Sequence, residues 1–458
     1  MAVLSISFDD VDSRFWGCTT HLAGLFLAEQ SRRPRVRPAD YPLLVRLNPA
    51  VPWKTRGNAA VVARLLIPDG LDWRDLCEAA RALVDEYTRP RIGDPVKRPG
   101  VACALGEPWG DPRLRWLYRK ALTDLVTTDV AGRVSAKAGV ATFGGRGVVG
   151  ATAALAALAP GDPYTFELTA YRHPDRWGQP RCILHDRAAA VESSTPPCTL
   201  NNYDPLSRRL TAAPGGPDPV LAGFRGTCPR HLARYSAALC EEPHFWVLYR
   251  SNQHTDPHAA PLLPPRPYKS GTLRGRVYSE PETIPGGHVA VIVESSGWLV
   301  DALFFRETGP LNRAARLLGP GDTVTLHGSV RPYAPRGRPV LAVDKMVVHT
   351  VTPRFTLASP RCPRCGARMK SLGRSGGYKC PRCGYRDPTA RPVRIAVPRR
   401  LSPGVYTPPP GRLRHLTAPW PPVWAVEPPR EPQSWGSVIS YGVNPPVTDP
   451  SVSSGAHR

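Results

Sequence analysis

Cys362-Pro-Arg-Cys365 and Cys380-Pro-Arg-Cys383 carry the sharpest chemical signal in this sequence, two C-x-x-C pairs separated by residues 366–379. That spacing suits a tetrahedral site of four thiolates. The glycine after each pair, Gly366 or Gly384, lets backbone amides turn back toward sulfur without a Cβ clash. Zinc held by four protein ligands keeps no open position, so the expected role is structural, as a zinc ribbon. A redox dithiol is conceivable for either pair taken singly, and the doubling of the motif argues against it. Lys370 and Arg374, with Arg368 and Lys379, make the segment between the knuckles basic. It reads as a surface for RNA phosphates or as a solvated hairpin.

A second cluster opens the chain. Asp9, Asp10 and Asp12 crowd three carboxylates together. A divalent cation that prefers hard oxygen ligands would relieve their repulsion, and magnesium carrying nucleotide phosphates is the natural guest for Asp9 and Asp10. An ordinary turn or cap is the competing reading. Gly145-Arg146-Gly147 precedes a small-residue, helix-like stretch over 148–158. Amides at that helix start, together with Arg146, suit phosphate, although the loop is not a P-loop and also reads as a turn. Lys54-Thr55-Arg56-Gly57-Asn58 adds two cations and a glycine after a strand ending near Asn48, or is a surface turn. The two loops and the acids together read as a nucleotide site.

The elements that must position these groups belong to a long, basic chain. Its 458 residues suggest three or four units at roughly 100 to 200 residues per domain. A formal charge of +23 attracts polyanions, either nucleic acid or an anionic membrane surface. No run approaches the roughly 20 apolar residues of a membrane span, and the first eight residues lack the basic flank of a signal peptide. A cytoplasmic protein with no membrane partner is expected. Seven scattered cysteines (Cys18, Cys77, Cys103, Cys182, Cys198, Cys228, Cys240) read mostly as small core residues.

Leu4, Ile6 and Phe8 alternate with Val3, Ser5 and Ser7, which describes a strand ending at Asp9. Thr19 and Thr20 are placed to cap a helix running through Leu22, Leu25 and Phe26. Helices are predicted over 73–87, 114–126 and 230–239, and strands over 43–47, 60–67, 165–171 and 245–249. From Gly271 five strand-like runs follow, over 272–278, 288–294, 298–304, 323–330 and 340–348, with a helix-like 311–318 between the third and fourth. This pattern matches an OB-fold barrel or a small barrel used as a spacer. Beyond Asp387 the Pro/Arg-rich composition predicts a tail extended over other domains or disordered at its end, with little order from about Gln433.

In this order the blocks resemble the archaeal isoleucine-tRNA 2-agmatinylcytidine synthetases, the TiaS family. The resemblance runs over roughly residues 1–420. It rests on Asp9-Asp10-Val11-Asp12-Ser13, Gly17-Cys18-Thr19-Thr20, Arg46-Leu47-Asn48-Pro49 with Lys54 to Asn58, and the glycine loop from Gly145 to Gly150. It continues through Asp218-Pro-Val-Leu, Phe224-Arg225-Gly226, Ser251 to Asp256, the knuckles with Met369-Lys370-Ser371, and Arg414-His415-Leu416-Thr417. Val11 stands where the family usually has Thr, and Phe15-Trp16-Gly17 is bulkier than usual before Cys18.

The resemblance implies a multidomain α+β protein. A kinase-like α/β domain is expected at 1–150, a ferredoxin-like domain at 151–266, an OB-fold β-barrel at 267–352, a zinc ribbon at 353–390 and a tail at 391–458. It also implies chemistry. ATP phosphorylates the C2 oxygen of the wobble cytidine in the isoleucine tRNA with a CAU anticodon, and the amine of agmatine then displaces phosphate. A cytidine C2 oxygen is too poor a leaving group to be replaced without that step. The expected catalytic residues are Asp9, Asp10, Asp12 and Thr19, the last as the family's autophosphorylated threonine. ATP falls to Lys54, Arg56, Gly57, Asn58, Gly145, Arg146 and Gly147.

The agmatine guanidinium pairs best with a carboxylate, for which Asp204 and Asp218 are candidates, each equally readable as a turn residue. Lys370, Arg374, Arg414 and His415 are expected on tRNA. No obligatory protein partner is evident. A non-catalytic OB-fold and zinc-ribbon RNA-binding protein would leave the acidic and glycine loops unexplained. Another ATP-dependent tRNA cytidine modifier, such as a lysine-adding enzyme, lacks support because no Ser-Gly-Gly-x-Asp-Ser type loop is present.

Overall fold

The computed structural model describes residues 1–13, 17–55, 57–89, 97–205, 207–217, 219–425, 432 and 434–446. One large sheet forms the front of the molecule. Its main path runs Val220–Gly226, Thr165–Tyr171, Phe245–Ser251, Leu43–Arg46, Ala59–Ile67, Ala2–Asp9, Gly100–Leu105, Ala141–Gly144. Ala2–Asp9 is central, paired antiparallel on both sides. Ser5 and Ser7 are therefore as buried as Leu4, Ile6 and Phe8 on the opposite face. The units expected at residues 1–150 and 151–266 share this sheet, joined through a parallel pairing of Phe245–Ser251 with Leu43–Arg46. A single hydrophobic core runs beneath both.

The helix Trp73–Thr88 is capped by Asp72, and Pro112–Thr123 by Asp111 with proline in its first turn. The stretch predicted as one helix over 230–239 divides into Pro229–Ala233 and a 3-10 turn, Arg234–Ala238. Val148–Ala154 is shorter than the small-residue run that announced it.

Behind the sheet, Ser270–Val277, His288–Ser295, Trp298–Phe304, Thr323–Val330 and Val340–Thr350 close into a five-strand barrel. The first strand pairs with the second and fourth, and the third pairs in parallel with the fifth. Pro310–Ala315 lies between the third and fourth strands and buries Leu311 in the barrel core. Asn48 joins barrel to sheet: its Nδ2 donates to the Tyr268 carbonyl at 2.9 Å, and Ser270 Oγ donates to its Oδ1 at 2.7 Å. A two-stranded arm, Arg354–Ala358 paired with Val393–Val397, leads to the zinc ribbon.

The tail lies over the other units, one of the two courses its composition allowed, and departs from expectation only near its end. Its described residues are ordered and strap the units together. Gly404–Tyr406 adds to the barrel, and Arg399 pairs with the fully buried Asp322 at 2.6 Å. Ile439–Tyr441 extends the front sheet along Phe245–Ser251, in the region expected to hold little order. Edge pairing uses backbone groups, which composition does not reveal. The cysteines bring a second correction. Cys77–Cys103 and Cys182–Cys240 are disulfides, joined across 26 and 58 residues of chain. Among the described residues, no helix is long and apolar enough to cross a membrane.

Candidate active site and zinc centre

The central strand delivers Asp9 to the floor of a cleft, and the chain then turns sharply, with Asp10 at φ 57° in the left-handed region. The Asp10 N–H donates to Asp9 Oδ1 at 2.7 Å. Burial, followed by the charges of Asp10 and Asp12, pushes the Asp9 carboxyl well above its ordinary pKa. Burial also raises Asp10, although Arg146 Nη2 lies 2.6 Å from its Oδ2 and pulls the other way. The glycines of the 144–150 loop serve close approach. A Cβ on Gly147 would stand 2.5 Å from the Asp9 carbonyl oxygen, and one on Gly150 would overlap Asp9 Oδ2. They let the loop close over the acid and bring Arg146 to it.

Asp12 points to the helix Thr19–Gln30. Its Oδ1 accepts the Thr19 N–H at 2.6 Å and the Thr19 hydroxyl at 3.0 Å. Thr19 and Thr20 are thus not the caps expected from sequence. Cys18 occupies the cap position without a side-chain bond, and Asp12 satisfies the first amide in its place. A carboxylate on a buried hydroxyl is the arrangement of a base and a nucleophile.

Of the residues expected on ATP, Lys54, Asn58, Arg146 and Gly147 line the same cleft as Asp9 and Asp10, with Leu47, Trp53 and Val126 as apolar wall. Lys54 donates to the Pro49 carbonyl. Burial lowers its pKa, and the charges of Arg414 and Arg331 lower it further. Asn58 Nδ2 donates to the Asn48 carbonyl at 3.1 Å, tying this loop to the strand end. Gly145 is bonded to the Pro99 carbonyl at 2.7 Å, and Gly57 packs against Arg46 and His415. Arg56 lies outside the described residues.

Sequence reading missed a second polar centre beside the first. Glu167, buried on Thr165–Tyr171, lies 3.7 Å from Arg46 Nη2 and 3.5 Å from Arg225 Nε, and accepts from Gln253 Nε2. Burial pushes Glu167 up, but Arg225 and Arg46 outweigh it and leave the pKa lowered. His415 Nδ1 donates to Gln253 Oε1 at 3.0 Å, and the Arg46 charge, then burial, holds its pKa well below the usual value. Arg46 also feels Asp12 and Cys18, so it sits between the two centres. Arg46, Arg225 and the 251–256 segment stood in the sequence blocks, but nothing local gave them a role. Glu167 carried no signal in a strand of ordinary appearance.

The remaining expected residues are dispersed. Asp204 is buried in the hairpin Tyr203–Asp204/Arg209–Leu210 and accepts from Ser207 Oγ at 2.9 Å. Asp218 lies outside the described residues. Lys370 and Arg374 are exposed on the ribbon. Arg414 is exposed and donates to Asp344 at 3.1 Å, whereas His415 turns inward. In the ribbon, Cys362 Sγ lies 3.6 Å from Cys383 Sγ and Cys365 Sγ lies 3.4 Å from Cys380 Sγ, all four within 4.8 Å of one another. Gly366 and Gly384 take φ 71° and 76°, as the knuckle turns require. Four sulfurs so gathered fit one tetrahedral zinc.

Acids, cations and a glycine turn in one cleft, on a chain that also carries a barrel and a basic zinc ribbon, define a multidomain phosphate-handling enzyme built to hold nucleic acid. The TiaS TCKD domain profile matches residues 5–71, the TiaS FLD domain profile residues 145–258, and the TiaS C-terminal zinc ribbon profile residues 359–401. The isoleucine-tRNA 2-agmatinylcytidine synthetase TiaS of Acidilobus saccharovorans is 53% identical over 415 residues, covering 91% of this chain and 93% of that protein. The Staphylothermus marinus protein of the same name is 37% identical over 429 residues, covering 91% and 93%. A crystal structure of TiaS in complex with its isoleucine tRNA and ATP superposes with TM-score 0.79 at 30% identity, over 92% of this chain and 97% of that one. A complex of TiaS with the same tRNA, AMPCPP and agmatine gives 0.77 at 28%, with the same coverage. This chain belongs to the TiaS family of isoleucine-tRNA 2-agmatinylcytidine synthetases.

Proposed function

We propose that this protein uses ATP to attach agmatine to C2 of the wobble cytidine of the isoleucine tRNA with a CAU anticodon, forming 2-agmatinylcytidine through a phosphorylated cytidine, so that the anticodon reads AUA. The observation that carries this is 53% identity along nine tenths of both chains with a named 2-agmatinylcytidine synthetase. Relatives crystallised with isoleucine tRNA and ATP, and with AMPCPP and agmatine, add to it.

In this reading Asp9 and Asp10 would hold magnesium, whose charge would shield the nucleotide phosphates, and their crowding fits that guest. Arg146, which now faces Asp10, and Lys54 are placed to turn to phosphate oxygens. Asp12 takes the Thr19 proton as Thr19 Oγ bonds to phosphorus and the bond from phosphorus to the nucleotide breaks. The cytidine C2 oxygen bonds to a phosphorus of ATP as the bond from that phosphorus to the rest of the nucleotide breaks, and the nucleotide leaves. The agmatine amine then bonds to C2, loses its proton, and phosphate leaves with that oxygen. The guanidinium is assigned to Asp204 or Asp218, because its planar fork pairs best with a carboxylate.

We read residues 267–352 as an OB-fold, because the barrel has the strand count and intervening helix of that class. Barrel and ribbon, through Lys370, Arg374 and Arg414, then grip the tRNA while the target base leaves its stack for the cleft. Mass analysis of the tRNA after incubation with ATP and either agmatine or lysine tests the reading. Incorporation of lysine alone, or of neither amine, overturns it. Thr19→Ala should abolish labelling of the protein from γ-labelled ATP, and full labelling would remove Thr19 from the scheme.

A further inference from the structure

Away from the cleft and the ribbon, Cys198, Cys228 and His231 bring two sulfurs and a ring nitrogen within 4.8 Å of one another. Cys198 comes from the loop after His185–Ser194, while Cys228 and His231 frame the first turn of Pro229–Ala233. Cys228 occupies the cap and His231 follows three positions later, a spacing that puts both side chains on one face. Main-chain bonds fix the pieces. The Thr227 N–H donates to the Cys198 carbonyl at 2.9 Å, and the His231 N–H donates to the Cys228 carbonyl at 3.0 Å.

Two further observations point to a ligand. Cys228-Pro229-Arg230-His231 repeats the Cys-Pro-Arg-ligand spelling of both ribbon knuckles, with histidine in place of the second cysteine. His231 Nδ1 is also buried with no hydrogen-bond partner. Both cysteines are free, unlike those of the two disulfides. Joining them to each other would leave the imidazole unsatisfied, whereas one cation engages all three side chains.

We infer that Cys198, Cys228 and His231 bind a second zinc ion, with its fourth position left to water. Two thiolates and an imidazole are a donor set for zinc. The ion clamps the 195–202 loop onto the end of Val220–Gly226. That loop continues the clamp through its backbone and side chains: the Leu200 N–H donates to the Arg225 carbonyl at 2.8 Å, and Asn202 Oδ1 accepts the Arg225 N–H at 2.7 Å. The site thereby helps hold the strand that presents Arg225 to Glu167.

Elemental analysis of the full chain, purified with zinc under reducing conditions, should give two zinc ions per chain. The C198S/C228S double variant should retain one, and the C362S/C365S variant should also retain one. Cobalt substitution of the C362S/C365S variant should show thiolate-to-cobalt absorption that His231→Ala diminishes. One zinc per wild-type chain with an intact ribbon overturns the proposal, whether or not the variants fold. So does a peptide map that finds Cys198 bonded to Cys228.

Discussion

Gly150→Ala sets two effects against each other. Gly150 lies in the helix Val148–Ala154, where exchanging glycine for alanine ordinarily adds about 1 kcal/mol of stability. A Cβ there would overlap Asp9 Oδ2 and stand 2.8 Å from Asp9 Cγ and 3.0 Å from Leu47 Cδ1. Relaxed contact between carbons needs about 3.5 to 4.0 Å, so the carboxylate must move by about 1 Å. The obstructing atoms are the end of a side chain that can rotate, and the fold should survive. Catalysis should not, because a displacement of about 1 Å at a group that positions reactants costs on the order of 100-fold in rate. The expected variant melts within a few degrees of wild type, binds tRNA as before, and forms 2-agmatinylcytidine roughly 100-fold more slowly. Nucleoside mass analysis at saturating ATP and agmatine reads the rate, and filter binding reads tRNA affinity. A folded Gly150→Ala protein with wild-type turnover would refute the claim that the glycine loop is shaped around Asp9.

Asp9→Asn should abolish modification yet raise the metal-free Tm at pH 7. A raised folded-state pKa means that the carboxyl supports the fold only while protonated, and that support is lost as pH rises through it; a lowered Tm would count against this account. Burial holds His254, His258 and His327 down at about 4 and His21 at about 3. Unfolded chains therefore take up protons first, and Tm should fall as pH drops from 6.5 toward 4. A flat thermal profile over that window would contradict the burial of these rings. Arg399→Met leaves the Asp322 carboxylate buried beside apolar chain and should cost about 3 kcal/mol, read as a lowered barrel transition; a change below about 1 kcal/mol would show that the ion pair adds little. The C362S/C365S variant should release the ribbon zinc and weaken tRNA binding while basal ATP turnover persists, and undiminished affinity would take the ribbon out of the binding surface.

The parts of this protein legible in sequence are those whose chemistry is local. The two knuckles carry their ligands and glycines within a few residues, so spacing alone specified the site. Barrel strands alternate inward and outward, as in His288–Ser295, so their period was visible. The acid loop declared itself by charge crowding. Its glycine partner was read as a phosphate cradle; the structure adds that Gly147 and Gly150 are small because Asp9 lies against them. Disulfides, and the continuous sheet across residues 1–266, depend on contacts between distant segments and left no local trace. Composition left the tail either extended over other domains or disordered at its end; the described residues take the first course, with Arg399 and Arg414 as ion-pair partners that composition could not assign.

That long-range layer is also where the units become one machine. Arg46 extends a strand of the front sheet, is held there by Asn252 through both backbone bonds (2.8 and 2.9 Å), and projects toward Glu167. On one side its charge is felt with Asp12, the acid that holds Thr19; on the other it adjoins His415, delivered by the tail that straps the barrel. Gly57, in the lysine loop of the cleft, is small because both Arg46 and His415 press on it, at 2.9 and 3.0 Å from where its Cβ would stand. Lysine loop, acid helix, second polar centre and tail therefore share one arginine. A shift of the tail has no way to leave the cleft untouched, because His415 and Arg46 are packed against the same loop that carries Lys54 and Asn58.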